Sequence, residues 1–248
     1  MAKLSVIIIT KNESANIRAC LESVAWADEI IVVDSASTDG TLEIAREFTP
    51  KVHVHADWPG FGAQKNRALD YAGKDWVLSL DADERVTPEL RAEIEAALLD
   101  ARADGYEIPR LSSFCGRFMR HSGWHPDYVL RLFRRGKARF SDALVHESVQ
   151  LQGSTARLRQ PLLHYSYRDF EDVLTKLNSY SSAAATMLER RGKRGSLAQA
   201  VLHGLWAFIR TYFLRAGFLD GREGFMLAVM NAENSYYRYI KLWLKQKS

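Results

Sequence analysis

At 248 residues, with 47% hydrophobic side chains, the chain is long enough for one large domain with a sizeable core, or for one domain with an appendage. Its net charge of +4 is unevenly placed: from Thr186 onward 11 Lys and Arg oppose 4 Asp and Glu, so the tail carries +7 and the chain before it −3. Cys20 and Cys115 match no zinc or redox spacing, and such sparse cysteine suits a reducing cytosol. The apolar opening LSVIII is short and runs into Lys11, Asn12 and Glu13, which is not the pattern of a secretory signal.

LSVIIIT reads as a buried strand, and ESANIRACLESV as a helix with Asn12 as its N-cap. EIIVVD is a continuous apolar run of the kind found in parallel strands covered on both faces. STDGTLEIAREF follows as a helix capped near Ser37 or Thr38. KVHVHA alternates as a third strand, AQKNRALDYA is helical, and DWVLSLD is a fourth strand. TPELRAEIEAALLDA is a helix with Thr87 as cap and Pro88 in its first position. This order predicts an α/β sheet with parallel strands. After Asp104 come shorter strand signals, GYEIPRL, DYVLRLFRR, ALVHESVQL and RQPLLHYSY, and from Asp169 the pattern is helical to the end. The expected division is a catalytic domain over 1–165 and a helical extension over 166–248.

In an open α/β sheet, ligands bind beyond the carboxyl ends of the strands. Three predicted strand ends carry polar clusters: Thr10, Lys11, Asn12 and Glu13; Asp34 to Gly40; and Asp81 to Glu84. Parallel strands bring all three to one edge. Asp81 and Asp83, two apart on an extended segment, are expected to face one ligand. Mg2+ or Mn2+ takes one or two carboxylates together with substrate phosphates, so this D-x-D pair is a candidate metal site. Gly60-Phe61-Gly62 lacks the Lys-Ser/Thr of a phosphate loop and reads as a loop entering a helix. His53 and His55 read as structural.

The succession SVIIITKNE, IIVVDSASTDGT, AQKNRAL and WVLSLDADE resembles the inverting glycosyltransferases of family 2, which have the GT-A fold, a Rossmann-like mixed sheet flanked by helices. GFGAQKNRAL, RLFRR, ALVHESV and LLHYSY are similar to the branch containing bacterial lipopolysaccharide core β-1,4-glucosyltransferases, whose members add glucose to inner-core heptose. The resemblance implies a UDP-sugar donor and roles residue by residue. Thr10, Lys11, Asn12 and Glu13 would border the nucleoside, and Asp34 would hydrogen-bond it. Ser35 and Ala36 stand where the family usually has a second aspartate and a glycine. Lys65 and Asn66 would lie near the diphosphate. Asp83, more directly than Asp81, would hold the metal, with His164 as a downstream ligand. Glu147 is the candidate base, with Asp127 as its competitor. The reaction needs a base for the acceptor hydroxyl and relief of the charge on the departing diphosphate.

Trp124 and His125 read either as sugar-stacking residues or as loop anchors. Arg131, Arg134 and Arg135 read as phosphate-binding or as a solvated strand face, and Arg131 or Arg134 as a salt-bridge partner of Glu147. Val201 to Phe218 is nearly long enough to cross a bilayer, but Arg210 and Arg215 argue instead for a helix lying on the membrane surface. Packing as a helical bundle or a homo-oligomer is the other reading. The implied acceptor is a lipid-linked saccharide, or else another polysaccharide or a polypeptide. The implied location is the cytoplasmic, inner face of a bacterial inner membrane, peripherally bound. A sugar nucleotidylyltransferase would carry a Gly-rich, Arg-containing loop after the first strand, and TKNE is not one. A nucleic-acid-binding role leaves the three acidic strand ends unexplained, so no nucleic-acid partner is expected.

Overall fold

The structure is a computed structural model that describes residues 2–100, 102–141 and 148–247. The chain forms two compact units, Met1–Arg110 with Asp127–His164, and Leu111–Pro126 with Tyr165–Ser248.

The first unit begins with strand β1 (Leu4–Thr10), helix α1 (Ile17–Ser23), β2 (Glu29–Asp34) and α2 (Thr41–Phe48). It continues through β3 (Val52–Val54), α3 (Phe61–Tyr71), β4 (Trp76–Asp81), the two-residue β5 (Glu84–Arg85) and α4 (Pro88–Leu99). Strands β3, β2, β1 and β4 lie side by side in that order, and all are parallel. Every residue of β1 and β2 is buried, as expected for strands covered on both faces. Alternate residues feed two cores: Val6, Ile8, Val32 and Leu78 pack with Ile17, Leu21, Leu90 and Ile94, while Ile7, Ile9, Ile31 and Val77 pack with Ala68 and Leu69. Each such side chain contributes about 1.5–3 kcal/mol by leaving water. Thr87 caps α4, accepting the Leu90 N–H at 3.1 Å.

The sheet then turns antiparallel. β6 (Gly105–Phe114) and β8 (Asp127–Arg134) pair with each other, and β8 pairs with β4. β9 (Ala138–Phe140) and β10 (Val149–Leu151) form a separate hairpin, β11 (Thr155–Arg157) lies beside β6, and β12 (Leu162–Tyr167) pairs with β5. Residues 143–147 of the predicted strand ALVHESVQL lie outside the described residues, and so does Glu147.

The second unit holds the short β7 (Arg117–Phe118), which pairs with the end of β6, and three long helices. These are α5 (Phe170–Arg190), α6 (Leu197–Ile209) and α7 (Gly221–Lys245); a π-turn, Arg210–Leu214, and a 3-10 turn, Gly217–Asp220, join the last two. A single division at 165/166 was expected. Instead Leu111–Pro126 belongs with the helices, because Phe114 and Met119 share a core with Val173, Leu177, Leu227 and Met230. Trp124 joins that cluster, with its ring 5.9 Å from Phe114 and 5.8 Å from Tyr167, so it anchors the loop. Among the described residues no helix is long and apolar enough to cross a membrane.

Candidate active site

Parallel register brings the three strand ends together: Thr10 lies opposite Asp34, and Ile9 opposite Asp81. The first two ends are then tied by short polar bonds. Asn12 is not the cap of α1, which starts only after Asn16. Its backbone is left-handed, with φ 55°; its N–H donates to Ser37 Oγ at 2.8 Å and its Oδ1 accepts the Thr38 N–H at 2.8 Å. Glu13 N–H donates to Thr41 Oγ1 at 2.8 Å, and Glu13 Oε2 accepts from Asn16. Lys11 is exposed.

Asp34 is fully buried and turned inward, accepting the Ser37 N–H on Oδ1 at 2.8 Å and the Ser37 hydroxyl on Oδ2 at 2.5 Å. It shapes the turn. The turn's crest is Ala36, also left-handed at φ 57°, at the position where the family pattern has glycine. Asp39 stands just before α2, where it accepts the Thr41 hydroxyl and N–H and the Ser14 N–H. The Thr41 hydroxyl, ahead of those amides, holds its carboxyl down at about 2. Gln64, from α3, donates to Ser35 at 2.7 Å and fixes the same turn from the other side.

The third strand end is a buried charge cluster. Lys65 Nζ lies 2.9 Å from Asp81 Oδ1, and Arg131 Nη2 donates to Asp81 Oδ2 at 2.5 Å and to Glu84 Oε1 at 2.6 Å. Glu84 Oε2 accepts the Asp81 N–H at 2.9 Å. Two cations thus balance two carboxylates, and Lys65, Arg131 and Glu84 are each at most 5% exposed. Burial pushes the Asp81 carboxyl up, but Arg131 and Lys65 outweigh it and hold it well below the ordinary range. Glu84 goes the other way: burial raises its carboxyl further than Arg131 lowers it.

This differs from the expectation that Asp81 and Asp83 face one ligand. The chain does not stay extended but turns at Ala82 and Asp83 to enter β5. Asp81 spends both oxygens on Lys65 and Arg131, while Asp83 projects separately. Opposite it, antiparallel pairing places His164 beside Glu84 and brings His164 Nε2 to 3.4 Å from Asp83 Oδ2. A carboxylate oxygen and an imidazole nitrogen at that separation would suit one Mg2+ or Mn2+ ion. The described residues contain no cluster of three or more His, Cys, Asp or Glu that would hold a metal unaided.

The remaining predicted residues have other partners. Asn66 donates to the Phe140 carbonyl and accepts the Phe140 N–H, both at 2.9 Å, so its amide pins β9 to α3. Asp127 Oδ2 accepts two bonds from Arg110, at 2.9 and 2.5 Å. His53 stacks on Tyr71 with ring centroids 3.7 Å apart. Arg131 is not a solvated strand residue but donates to Asp81 and Glu84, while the pairing with Glu147 falls outside the described residues; Arg134 lies 3.7 Å from Asp104. Sequence reasoning counted Glu84 in the third polar cluster but gave it no role. Its signal was an acidic residue directly after D-x-D and two before buried Val86, on a strand too short to show a period.

The family model for glycosyl transferase family 2 matches residues 5–165. An uncharacterised glycosyltransferase of Rickettsia typhi is 34% identical over 98% of this chain and 87% of its own length. The lipopolysaccharide core biosynthesis glycosyltransferase LpsC of Rhizobium meliloti is 31% identical over 95% of this chain and 93% of its own. Among solved structures, Staphylococcus aureus TarS 1-349 superposes with a TM-score of 0.51 at 17% identity, covering 99% of this chain and 91% of that one, a likeness of fold.

Proposed function

The chain belongs to glycosyl transferase family 2 and has its GT-A fold, and on that premise we propose that it moves a hexose, glucose foremost, from a UDP-sugar to a lipid-linked saccharide. The relationship to LpsC supports an acceptor in the lipopolysaccharide core, with inner-core heptose as the specific candidate. The enzyme would then work peripherally, at the cytoplasmic face of a bacterial inner membrane.

The observation that carries this reading is the division of labour at the β4 end. Asp83 and His164 face one another 3.4 Å apart, while Asp81 is held by Lys65 and Arg131. They would hold Mg2+ or Mn2+ against the donor diphosphate. The ion, when bound, supplies stabilisation of the charge that builds on the leaving group. Lys65 and Arg131 hold Asp81 ionised and fixed, so that the turn bearing Asp83 keeps its place. The tied turns at Thr10–Glu13 and Asp34–Asp39 form a rigid wall for the nucleoside, with Asp34 acting through Ser37. Rigid placement matters because a misplacement of 1 Å can cost about 100-fold in rate.

Glu147 is the proposed base. Asp127 has one oxygen committed to Arg110, which leaves Glu147 as the better reading. A single displacement inverts the anomeric centre, so an α-linked donor yields a β-linked product.

The test is transfer to a truncated core glycolipid from a panel of UDP-sugars, with and without EDTA, for wild type and Asp83→Ala. One sugar should dominate, and EDTA and the substitution should each lower turnover at least about 100-fold. Turnover that ignores EDTA, or none with any UDP-sugar, would contradict the proposal. Glu147→Gln should keep UDP affinity and lose transfer by about 100-fold or more; loss of UDP affinity would remove Glu147 from the base role.

A further inference from the structure

Helix α6 packs with its apolar character reversed. Its inner face is made of small residues, Ala200, Gly204 and Ala207, all buried. A Cβ at Gly204 would lie 3.3 Å from the Ala232 carbonyl of α7, so the two backbones approach closely there. The large side chains point the other way. Leu202 is 66% exposed and Trp206 53%, and Leu205, Ile209, Phe213 and Leu214 continue the exposed row through the π-turn. Isolated exposed apolar residues are ordinary, but a continuous row of six is not.

The charge around this row has one sign. Between Glu189 and Asp220 the sequence has no Asp or Glu, while Arg190, Arg191, Lys193, Arg194, Arg210 and Arg215 supply six positive charges. A second copy of this chain docked face to face would set these cations against their own kind. An anionic lipid surface answers both features: acyl chains receive the large side chains and headgroup phosphates receive the arginines and lysine.

We propose that α6 and its π-turn form an anchor that lies flat on an anionic phospholipid surface, with Leu202, Leu205, Trp206, Ile209, Phe213 and Leu214 buried among the lipids. The inference deepens the membrane part of the proposed function and rests on it, but makes no use of the donor site.

The test is sedimentation of the full chain with vesicles of phosphatidylcholine alone or mixed with phosphatidylglycerol, at low and high salt. Wild type should sediment with the mixed vesicles, more weakly with the neutral ones, and less as salt rises. Leu202→Glu with Trp206→Glu should weaken binding at least about tenfold. These side chains point outward, so circular dichroism and melting should match wild type. Replacing Arg190, Arg191, Lys193 and Arg194 with Gln should reduce the preference for phosphatidylglycerol. Binding by the double variant equal to wild type overturns the proposal. So does a wild-type dimer that the double variant dissociates, with no vesicle binding. Calorimetry with UDP on the same samples separates the two readings. A chain that binds UDP but not anionic vesicles refutes the anchor alone; one that binds vesicles but not UDP refutes the donor reading alone.

Discussion

At the sheet edge of the first unit, Lys65, Glu84 and Arg131 are drawn below the surface around a partly exposed Asp81; along α6 of the second, Leu202, Leu205 and Trp206 stand in solvent. The usual partition is inverted in both places, for different reasons. Buried charges persist only where each has a partner and hydrogen bonds, and here they immobilise a turn. Exposed apolar rows persist where something other than water covers them. The contrast teaches that residues in the wrong environment for their polarity locate function better than burial alone does.

That contrast can be broken first at Arg131. Arg131→Met leaves Asp81 and Glu84 facing each other without their shared cation and should cost about 3–5 kcal/mol, read by urea unfolding. A cost under about 1 kcal/mol would mean that the cluster is not closed in solution. A second buried charge sharpens the point, because it is structural only. Glu29 accepts bonds from Ser5, Lys51 and the Gly73 N–H. Burial pushes its carboxyl up, but those three bonds outweigh burial and hold it at about 2. The stability this gives is fully present above the ordinary value of 4.5 and is lost as pH falls through about 2. About 2–3 kcal/mol should disappear over that window, after allowance for the half-exposed Lys51 arm. Glu29→Gln should flatten the acid limb of the stability–pH curve while leaving UDP binding unchanged. The smallest effect compares the two faces of α6. Gly204→Leu should cost about 1–3 kcal/mol by forcing α6 off α7. Leu202→Gln on the same helix should stay within about 0.5 kcal/mol of wild type. Equal costs would mean that the outer face is covered within the protein.

Much of the fold was legible because its signals are local. Continuous apolar runs marked β1 and β2, Thr87-Pro88 marked the start of α4, and the β-α order fixed parallel strands and hence the converging ends. What escaped depends on pairing across the chain. Arg131 reaches Glu84 over 47 residues, and nothing in the run DYVLRLFRR says which arginine turns inward. Asn12 looks like a cap until the left-handed backbone and the bonds to Ser37 and Thr38 are seen. The sequence placed a helix over residues 201–218 but did not say which side chains of α6 turn outward, because a helix apolar on both faces has no period to read. Its clue was Ala200, Gly204 and Ala207 at helical spacing, small residues that let helices approach and leave large ones outside.

The central claim is that Asp83, with His164, holds the divalent ion while Asp81 serves as an anchor paired with Lys65 and Arg131. Calorimetric titration of UDP into the chain with Mn2+ present tests it most directly, using wild type and Asp83→Asn with circular dichroism as a control of folding. The account predicts that Asp83→Asn, still folded, loses at least about tenfold in Mn2+-dependent UDP affinity and keeps the weak affinity that wild type shows in EDTA. An unchanged affinity in Mn2+ would contradict it.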